Sequence, residues 1–411
     1  MSKNILIVNS YASAPSYGGG MYRHYYLAKE FNKMGYKTTI ASASFSHLFT
    51  KFPVIDKSKT FTQEIVDGVD FIWLKSSKYK NSFDKKRVFT WFEFMFKLFF
   101  ITKILKHKPD VIICSPTEVF SIIPCYFLAK KFKAKLVFEV RDIWPLSLIE
   151  IGKISKFHPF IMLMSLVEKF AIKKSDLLVS NLCCYDEHVK ELNIFKPFYW
   201  ISNGISLEHI AQAKELPLNI KNLIPKDKFI IGYTGKLGIS NAMIYLIKAA
   251  KILKEHKNLT FVIVGDGSEK NTLKDEAKDL ENVIFIDPIK KEQISQMLAL
   301  FDVCYIGLLD KELFKFGVSP NKLYDYMYVA KPVLESINTK NSIVKISQCG
   351  KCVKAQDENE IAKAILQLSN TPKQELQNMG KNGKEYILKH FTYDKLAQKY
   401  IEILQLHSSP F

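Results

Sequence analysis

The sequence has few cysteines and no long apolar segment free of charge. Its seven cysteines among 411 residues are an odd number and too few for a disulfide framework, which predicts a reducing compartment. No uncharged apolar run reaches the roughly 18 residues that a membrane-spanning helix needs. Lys3 is followed by only four apolar residues before Asn9, a pattern that does not predict a secretory signal. We therefore expect a cytoplasmic protein that does not cross a membrane.

Several motifs of nucleotide and metal chemistry are also missing. There is no G-x-x-x-x-G-K-[ST], and the glycine-rich stretch SYGGGMYRHYYLAKEF has Arg23 where the last glycine of G-x-G-x-x-G would fall. The second predicted strand ends in Ser42 and Ser44, without an acid to hold a ribose diol. We find no Ser/His/Asp set, no zinc-ligand spacing, no Asp-x-Asp at a strand end and no readable pair of catalytic carboxylates. The sequence therefore predicts no cofactor and no metal.

Acidic residues are too few to balance the basic ones. The chain has 59 Lys and Arg against 41 Asp and Glu, which gives a formal charge of +18. Such a charge predicts an anionic partner. A nucleic-acid binder without enzymatic activity is one alternative, but no nucleic-acid module is recognisable. The composition is otherwise ordinary for a globular protein, and the length predicts two domains.

Short β-rich runs alternate with helical patterns along most of the chain, which predicts an α/β fold with parallel sheets. The runs in the first half are NILIVNSY, KTTIASAS, DGVDFIWLK, DVIICSP, KLVFEVRD and DLLVSN. The runs in the second half are FIIGYTG, LTFVIVG, NVIFIDP, DVCYIGL and KPVLESI. We predict two Rossmann-like domains, 1–205 and 206–390. The amphipathic pattern at 391–411 predicts a C-terminal helix that packs back on the first domain.

Ligands of open α/β sheets bind beyond the carboxyl ends of the strands, so the loops there are the candidate sites. Four loops stand out: the triple glycine at 18–20, RDIWP at 141–145, the glycine turn TGKLGISNAM, and KFGVSPNKLYDYM. Ser319 and Pro320 are typical of a helix cap and first helical residue, and a helix start attracts anions. Lys236 and Lys322 nearby could hold a diphosphate without a metal. Asp325, one turn into that helix, could accept two hydrogen bonds from a ribose diol.

Each of these features also has a plainer interpretation. The triple glycine could be a tight turn for close packing, and Arg141 with Asp142 an internal ion pair. Lys236 could be a surface lysine, and Asp325 a solvated carboxylate near a helix start. VGDGSEK is typical of a simple turn into a helix. CGKC at 349–352 has the spacing of a redox motif, but a glycine turn into a short strand explains it as well.

The motifs together resemble a known family. They are YASAPSYGGGMYRHYYLAKEF, FEVRDIWPLSLIEIG with HPFI, NGIS, YTGKLGISNAM, VGDGSE and GVSPNKLYDYMYVAKPV. In this order they resemble the GT-B fold glycosyltransferases of family 4, and more narrowly the N-acetyl-L-fucosaminyl transferase group of O-antigen and capsule biosynthesis. Two positions depart from the family pattern. Gly317 stands where many members have a glutamate, and Asn241 where the glycine turn usually has a second basic residue.

The resemblance implies a function and a set of site residues. The second domain would bind a nucleoside-diphosphate sugar, and the first an acceptor. The implied donor-binding residues are Gly235, Lys236, Pro288, Ile289, Ser319, Asn321, Lys322, Leu323 and Asp325. The implied acceptor-binding residues are Gly18, Gly19, Gly20, Arg23 and His24, and the implied catalytic residues are Lys236, Arg141 and Asp142. The reaction would move an N-acetylated deoxyhexosamine from a UDP-sugar to a polyprenyl-diphosphate-linked sugar, with retention at the anomeric carbon. A sugar-nucleotide epimerase of similar fold is the alternative.

The segment from Lys75 to Lys108 predicts where the protein works. It has ten Lys or Arg and two acids, with seven aromatic residues between Phe89 and Phe100. At helical spacing, Thr90, Glu93 and Lys97 form a polar face. The apolar arc opposite contains Phe92, Met95, Phe96 and Phe99. We expect either a buried domain helix or a helix that binds an anionic membrane surface from the cytoplasmic side.

Overall fold

The computed structural model describes residues 3–81, 84–211 and 213–407, and the chain in it forms two compact units. The first contains the residues up to Ser202 and those from Tyr393 onward, and the second is Asn203–Thr392. The predicted domain boundaries, at 205/206 and 390/391, lie within three residues of these. No helix in the described ranges is both long enough and apolar enough to cross a bilayer.

The first unit is built on an eight-stranded sheet. Its strands are β1 (Asn4–Val8), β2 (Lys37–Ala43), β3 (Phe61–Val66), β4 (Val69–Leu74), β5 (Val111–Cys114), β6 (Lys135–Val140), β7 (Leu177–Ser180) and β8 (Phe198–Trp200). They lie in the order β3-β4-β2-β1-β5-β6-β7-β8. All neighbours are parallel except β3 and β4. The nearly continuous burial of β1, β5, β6 and β7 is typical of parallel strands covered on both faces.

Two strands, β3 and β8, are absent from the sequence-based prediction. β3 pairs with β4 as a hairpin, and the turn residues Asp67 and Gly68 have φ values of 47° and 83°. An Asp-Gly turn with positive φ at both positions is a strong hairpin signal. β3 is largely half-buried, so its apolar pattern is weak. β8 has only three residues, too few for a periodic pattern.

Helices cover both faces of this sheet. They are α1 (Arg23–Lys33), α2 (Lys86–Leu98), α3 (Ile122–Phe132), α4 (Leu146–Glu150), α5 (Pro159–Lys174) and α6 (Tyr185–Glu191), with 3-10 turns at Pro15–Tyr17 and Ile101–Lys103. The chain passes from β1 to β2 in one direction along the sheet, and from β5 through β6 to β7 in the other. Right-handed crossovers therefore put α1 on one face, and α3 with α5 on the opposite face.

Helices α2, α3 and α5 lie side by side. Ring centroids are 4.7 Å apart for Phe92 and Phe120 and 6.1 Å apart for Phe99 and Phe127, so α2 and α3 run in the same direction. Centroid distances of 5.8 Å between Phe120 and Phe160, and 5.3 Å between Tyr126 and Phe170, show the same for α3 and α5.

The prediction of a polar face on α2 is wrong at Thr90. Part of the predicted apolar arc is buried inside the unit. Thr90 is buried, and its hydroxyl donates to the Arg87 carbonyl at 2.7 Å, which satisfies it inside the unit. Met95 is buried, and Phe92 packs against Phe120. Phe96 is exposed. The helix is thus buried along one stripe and leaves aromatic groups outside it.

The second unit is a six-stranded sheet in which all neighbours are parallel. Its strands are β9 (Phe229–Thr234), β10 (Leu259–Val264), β11 (Val283–Ile286), β12 (Val303–Gly307), β13 (Val333–Ser336) and β14 (Gly350–Val353), in the order β11-β10-β9-β12-β13-β14. The order reverses at β9, the usual place for a ligand crevice in such sheets. One core cluster, with Ile231, Phe261 and Ile263 among its members, packs this sheet against helices.

The second unit has nine helices in its described residues. They are α7 (Leu207–Ile210), α8 (Leu218–Lys221), α9 (Met243–Ile252), α10 (Lys270–Glu276), α11 (Ile294–Ala299), α12 (Asn321–Tyr328), α13 (Ile343–Ile346), α14 (Glu358–Ser369) and α15 (Lys373–His390). The 3-10 turns are Ile239–Asn241, Lys291–Gln293 and Glu312–Phe316.

The CGKC motif begins the last strand of this sheet. A Cβ atom at Gly350, the first residue of β14, would lie 1.9 Å from the Val333 carbonyl oxygen, so only glycine fits. Burial raises the pKa of Cys349 to about 12, which disfavours the reactive thiolate. The short strand is therefore confirmed and the redox interpretation disfavoured, but the glycine stands in the strand, and the residue with positive φ before it is Gln348.

The predicted C-terminal helix is α16 (Tyr393–Leu406), and it belongs to the first unit. It packs on α1, with ring centroids 5.6 Å apart for Phe31 and Tyr400 and 4.9 Å apart for Tyr26 and Tyr393. The return of the chain to the first unit is confirmed. Every strand predicted above also coincides with a strand of the structure.

Candidate functional site

The glycine turn after β9 lies against the turn after β10. Gly235 donates its backbone N–H to Val264 at 2.9 Å, and Leu237 donates to Asp266 at 2.8 Å. A Cβ atom at Gly265 would lie 1.9 Å from the Gly235 carbonyl oxygen, and one at Gly267 would lie 2.2 Å from that of Leu237. The glycines of the VGDG motif are therefore explained by packing, because they allow the two turns to contact each other.

Lys322, near the start of α12, points its ammonium at this turn. Its Nζ donates to the Tyr233 hydroxyl at 2.5 Å and to Asn241 Oδ1 at 2.9 Å, and lies 4.1 Å from the centre of the Tyr233 ring. A Cβ atom at Gly235 would lie 2.9 Å from Nζ, so the glycine makes room for the lysine. Desolvation lowers the pKa of Lys322 to about 7. No carboxylate in the described ranges lies within ion-pair distance of it.

The same contacts hold the backbone of Lys236. Its carbonyl accepts hydrogen bonds from the Tyr233 hydroxyl at 2.8 Å and from Asn241 Nδ2 at 3.0 Å. Its side chain is exposed, and no hydrogen bond to its ammonium is recorded within the described part of the chain. Asn241, where the family pattern has a basic residue, therefore links the two lysines. The catalytic role of Lys236 stays a prediction.

The start of α12 differs from the prediction. The helix begins at Asn321 with Pro320 before it, and Ser319 does not cap it. Instead, Ser319 Oγ accepts from the Asn203 backbone N–H at 2.9 Å and lies 2.8 Å from the Tyr324 hydroxyl. Asn203 Nδ2 also donates to the Ser319 carbonyl at 2.7 Å. The Ser319 hydroxyl is therefore engaged in fixing the NGIS segment.

The remaining predicted donor-binding residues lie on two neighbouring segments. Asp325 Oδ2 accepts a hydrogen bond from Lys291 Nζ at 2.6 Å, an ion pair that a ribose would have to share. Pro288 and Ile289 lie in the loop after β11, at the carboxyl edge of the sheet. Leu323 is buried, so only its backbone could contact a ligand. The roles of these residues stay predictions.

In the first unit, Arg23 and His24 are buried beside Glu139 at the end of β6. Arg23 Nε donates to Glu139 Oε1 at 3.1 Å, and its Nη2 donates to the Ile201 carbonyl at 2.9 Å. Burial favours the neutral form of Glu139, but Arg23 and His24 outweigh this and hold its pKa well below the usual range. Burial lowers the pKa of His24 to about 4, so the imidazole is neutral at pH 7.

This arrangement disfavours the acceptor-binding role predicted for Arg23 and His24, which stays a prediction. The two residues are 3% and 1% exposed, so they have little surface to offer an acceptor. The contacts of Arg23 join α1 to β6 and to the backbone carbonyls of Ile201 and Ser202.

Glycine is needed at positions 18, 19 and 20 for different reasons. All have positive φ, at 72°, 91° and 71°. A Cβ atom at Gly18 would lie 2.3 Å from Thr50 Oγ1, and one at Gly19 would lie 3.2 Å from the Leu48 carbonyl oxygen. At Gly20 no atom lies within 4 Å of such a Cβ. The first two glycines are thus required by packing within the unit, and only Gly20 leaves open backbone for an acceptor.

Arg141 and Asp142 follow β6, and they do not form the internal ion pair considered above. No ion pair within 4 Å joins them in the described residues. Arg141 has its Nε and Nη1 atoms buried without a hydrogen-bond partner. Asp142 is exposed at the surface. A guanidinium with two unused buried donors is suited to an anionic ligand.

Arginine is rare in this chain, and its three occurrences cluster. The sequence has only Arg23, Arg87 and Arg141 among its 59 basic residues. Arg141 is within electrostatic reach of Arg23, and Asp142 is within reach of both Arg141 and Arg87. Planar guanidinium groups bind phosphate oxygens in pairs, which lysine does not do.

Sequence reasoning missed the aromatic residues beside these arginines. The Arg87 guanidinium lies 5.5 Å from the ring centre of Tyr11 and 5.3 Å from that of Trp91. Trp91 packs edge-on against Trp144, with centroids 5.8 Å apart, and both indole N–H groups are buried without a partner. The RDIWP motif could have indicated Trp144. Arg87 and Trp91 come from α2, whose sequence is basic and aromatic throughout and does not indicate which residues belong to a site.

The chain matches one protein family over part of its length. Residues 217–386 match the family model described as glycosyl transferases group 1. The matched residues lie in the second unit and include the glycine turn, Lys322 and Asp325. A search of curated proteins finds no match to the chain.

Solved structures extend the likeness to the whole chain. Sucrose-phosphate synthase from Thermosynechococcus elongatus is 15% identical, with a TM-score of 0.72 over 98% of both chains. Anabaena Alr3699/HepE in complex with UDP is 14% identical, with a TM-score of 0.65 over 98% of this chain and all of that one. A UDP-forming trehalose-phosphate synthase from Burkholderia vietnamiensis is 10% identical, with a TM-score of 0.70 over 98% of this chain and 100% of that one. The predicted GT-B fold is confirmed.

Proposed function

We propose that the chain is a retaining glycosyltransferase that takes a sugar from a UDP-sugar. The observation that carries this proposal is Lys322, a desolvated amine with no carboxylate partner among the described residues, which lies beside a glycine turn at the carboxyl edge of the second sheet. A cation left in that state is suited to an anion that arrives with the substrate. Structures of the same fold described as in complex with UDP or as UDP-forming support a uridine nucleotide.

The chemistry would be electrostatic. As the bond between the anomeric carbon and the diphosphate breaks, the leaving diphosphate takes the electron pair, and a new bond forms to an acceptor hydroxyl. Lys322, Lys236 and the backbone N–H groups at the start of α12 would stabilise the developing charge. These groups can do so without a divalent metal. Turnover that is lost in EDTA and restored by manganese would contradict this part of the proposal.

The acceptor in this proposal is a polyprenyl-diphosphate-linked sugar. Arg87 and Arg141 could bind its diphosphate, and the Trp91–Trp144 pair could pack against an apolar sugar face. The family resemblance supports an N-acetylated deoxyhexosamine as the donated sugar and O-antigen or capsule as the product. Because a polyprenyl acceptor stays in its bilayer, the proposal includes peripheral attachment to the cytoplasmic face of an anionic membrane.

A panel of nucleotide sugars in thermal unfolding tests the donor. A bound donor at 100 times its dissociation constant should add about 2.7 kcal/mol of stability. We expect UDP and a UDP-N-acetylhexosamine to stabilise the protein, and ADP- and GDP-sugars to do so less. Stabilisation by a non-uridine nucleotide alone would contradict the uridine assignment.

Product analysis separates transfer from epimerisation. The preferred donor is incubated alone and with a lipid-linked acceptor fraction, and the sugars are then identified by mass spectrometry and NMR. A transferase should release UDP in an acceptor-dependent manner. Conversion of the donor to an epimer without an acceptor would instead establish the epimerase alternative.

A further inference from the structure

The outer surface of α2, its C-terminal end, α3 and α5 carries large apolar side chains that no described residue of the first unit covers. Their exposed fractions run from 41% to 67%. They are Phe96, Phe99, Phe100, Phe127, Leu163 and Leu166. We call these six residues the apolar face. A contiguous exposed patch of this kind on a folded unit marks an interaction site.

The apolar face is continuous across the three helices. The Phe99 and Phe127 rings lie 6.1 Å apart and join α2 to α3. Leu163 and Leu166 belong to α5, which lies beside α3 through the Phe120–Phe160 and Tyr126–Phe170 contacts. The six exposed side chains therefore lie on three adjacent helices of one layer.

The helices that present this face are basic. Together, α2, the 3-10 turn after it, α3 and α5 contain nine Lys or Arg and two acids. Both acids are engaged: Glu93 pairs with Lys97 at 2.7 Å, and Glu168 pairs with His188 at 2.9 Å. The lysines that remain exposed include Lys130, Lys131 and Lys173.

The opposite layer of the same unit has a different outer surface. The exposed positions of α16 include Asp394, Lys395, Gln398 and Glu402. That surface mixes both signs of charge and has no aromatic group. The apolar face is thus a local feature of one helical layer, and the composition of the whole unit does not account for it.

We propose that the apolar face docks on an anionic lipid bilayer, with its rings at the headgroup boundary and the surrounding lysines on the phosphates. This combination of aromatic groups and lysines is what an anionic interface binds. A second copy of this chain is a poorer occupant, since the two basic rims would face each other. The inference deepens the proposed function, because it names the surface that would bring the first unit to a lipid-borne acceptor.

Vesicle flotation tests the inference. The full chain is mixed with vesicles of phosphatidylcholine alone or with 30% phosphatidylglycerol, at low and at high salt. We expect flotation with the anionic vesicles at low salt, and a decrease in flotation at high salt because the charges are screened. Equal recovery in the soluble fraction under all four conditions would overturn the inference.

A triple variant, Phe99→Ser, Phe127→Ser and Leu166→Ser, should lower the floated fraction about tenfold. The matched control replaces three apolar residues of the same unit that lie outside the face, Val54, Ile65 and Phe195, which are 90%, 69% and 84% exposed. The control should float like the parent chain. An equal loss in both variants would show non-specific adsorption and overturn the assignment. A dimer that the triple variant dissociates, with no flotation of the parent, would identify a second copy as the occupant.

UDP stabilisation of each variant separates this inference from the proposed function. A triple variant that is stabilised by UDP like the parent chain, but no longer floats, supports the apolar face. If the parent chain floats but UDP does not stabilise it, the result supports membrane docking by the apolar face and contradicts the donor assignment.

Discussion

Arg23 in the first unit and Lys322 in the second are both desolvated near the carboxyl edge of their sheets, but their surroundings differ. Arg23 in the first unit is closed in by Glu139 and by the backbone carbonyls of Ile201 and Ser202. Among the described residues, Lys322 in the second unit contacts a phenol, an amide oxygen and an aromatic ring, and it has no carboxylate within ion-pair distance. Removing a charge from water is costly unless the charge is paired, so only the first arrangement is complete without a ligand.

The comparison separates structural from ligand-binding basic residues. A basic residue whose donors are all used inside the unit stabilises the fold. A basic residue with no counter-charge is destabilising until an anion binds. Substitutions of these residues and a pH titration can therefore distinguish the two kinds of basic residue.

Glu139→Gln should destabilise the first unit by about 3–5 kcal/mol, because it leaves the Arg23 charge buried without its carboxylate. The free energy of unfolding in urea measures this. Glu93→Gln removes a carboxylate from a more exposed pair with Lys97 and should cost under about 1 kcal/mol. Equal losses in the two variants would show that Arg23 does not depend on Glu139.

Lys322→Met should lower kcat/KM on the order of 10²–10³-fold without loss of folding stability, since it removes a desolvated charge rather than a paired one. Steady-state kinetics and urea unfolding give the two readouts. Lys363→Met, on the exposed side of α14, is the control and should change neither. A variant that unfolds more easily but turns over normally would make Lys322 a structural residue like Arg23.

Lys236→Ala should lower kcat about 10²-fold and leave the stability of the second unit unchanged, since its side chain is exposed and makes no hydrogen bond or ion pair with the described residues. The backbone carbonyl that Tyr233 and Asn241 hold stays in place in this variant. Turnover within threefold of the parent enzyme would show that Lys236 has no catalytic role.

Asp325→Asn should weaken UDP binding about tenfold, which corresponds to the loss of one hydrogen bond to a charged group. Calorimetry measures the affinity. Lys291→Met breaks the same ion pair from the other side and leaves the carboxylate available to a ribose. If UDP affinity falls with Lys291→Met but not with Asp325→Asn, the Asp325 carboxylate does not bind the ribose.

The last prediction is a pH dependence in which stability and UDP affinity change in opposite directions. The Lys322 ammonium has a folded-state pKa of about 7 and an unfolded-state pKa near its ordinary 10.5, so the unfolded chain binds more protons between these values. Stability should therefore rise with pH from about 7 to about 10.5. UDP affinity should fall about tenfold from pH 6 to pH 8, as the free site loses its charge. Lys322→Met should abolish both slopes; slopes that survive in it would come from another group.

The fold could be predicted from the sequence because most of its strands are fully buried and read as continuous apolar runs. β3 was not predicted because it is partly exposed, and β8 was not predicted because it has only three residues. The hairpin signal at Asp67-Gly68 was present in the sequence and could have identified β3.

The candidate site could be predicted only as far as its loops. Motif position indicates which residues follow a strand, but it does not indicate which way a side chain points. Lys236 and Lys322 therefore looked equivalent, although only Lys322 is desolvated. Arg23 looked available for an acceptor because its burying partner, Glu139, is 116 positions away in the chain.

The return of the chain to the first unit has a consequence for the order of folding during synthesis. Ile205, shortly after the first crossing, pairs with Thr392 at the second crossing, so both connections leave the second unit at one place. The second unit is thus an insertion in the first. On the ribosome it can fold once its own residues have emerged, whereas the first unit must wait for Tyr393 and Tyr400 before the surface of α1 is covered. The domain that begins the chain is therefore the last to be completed.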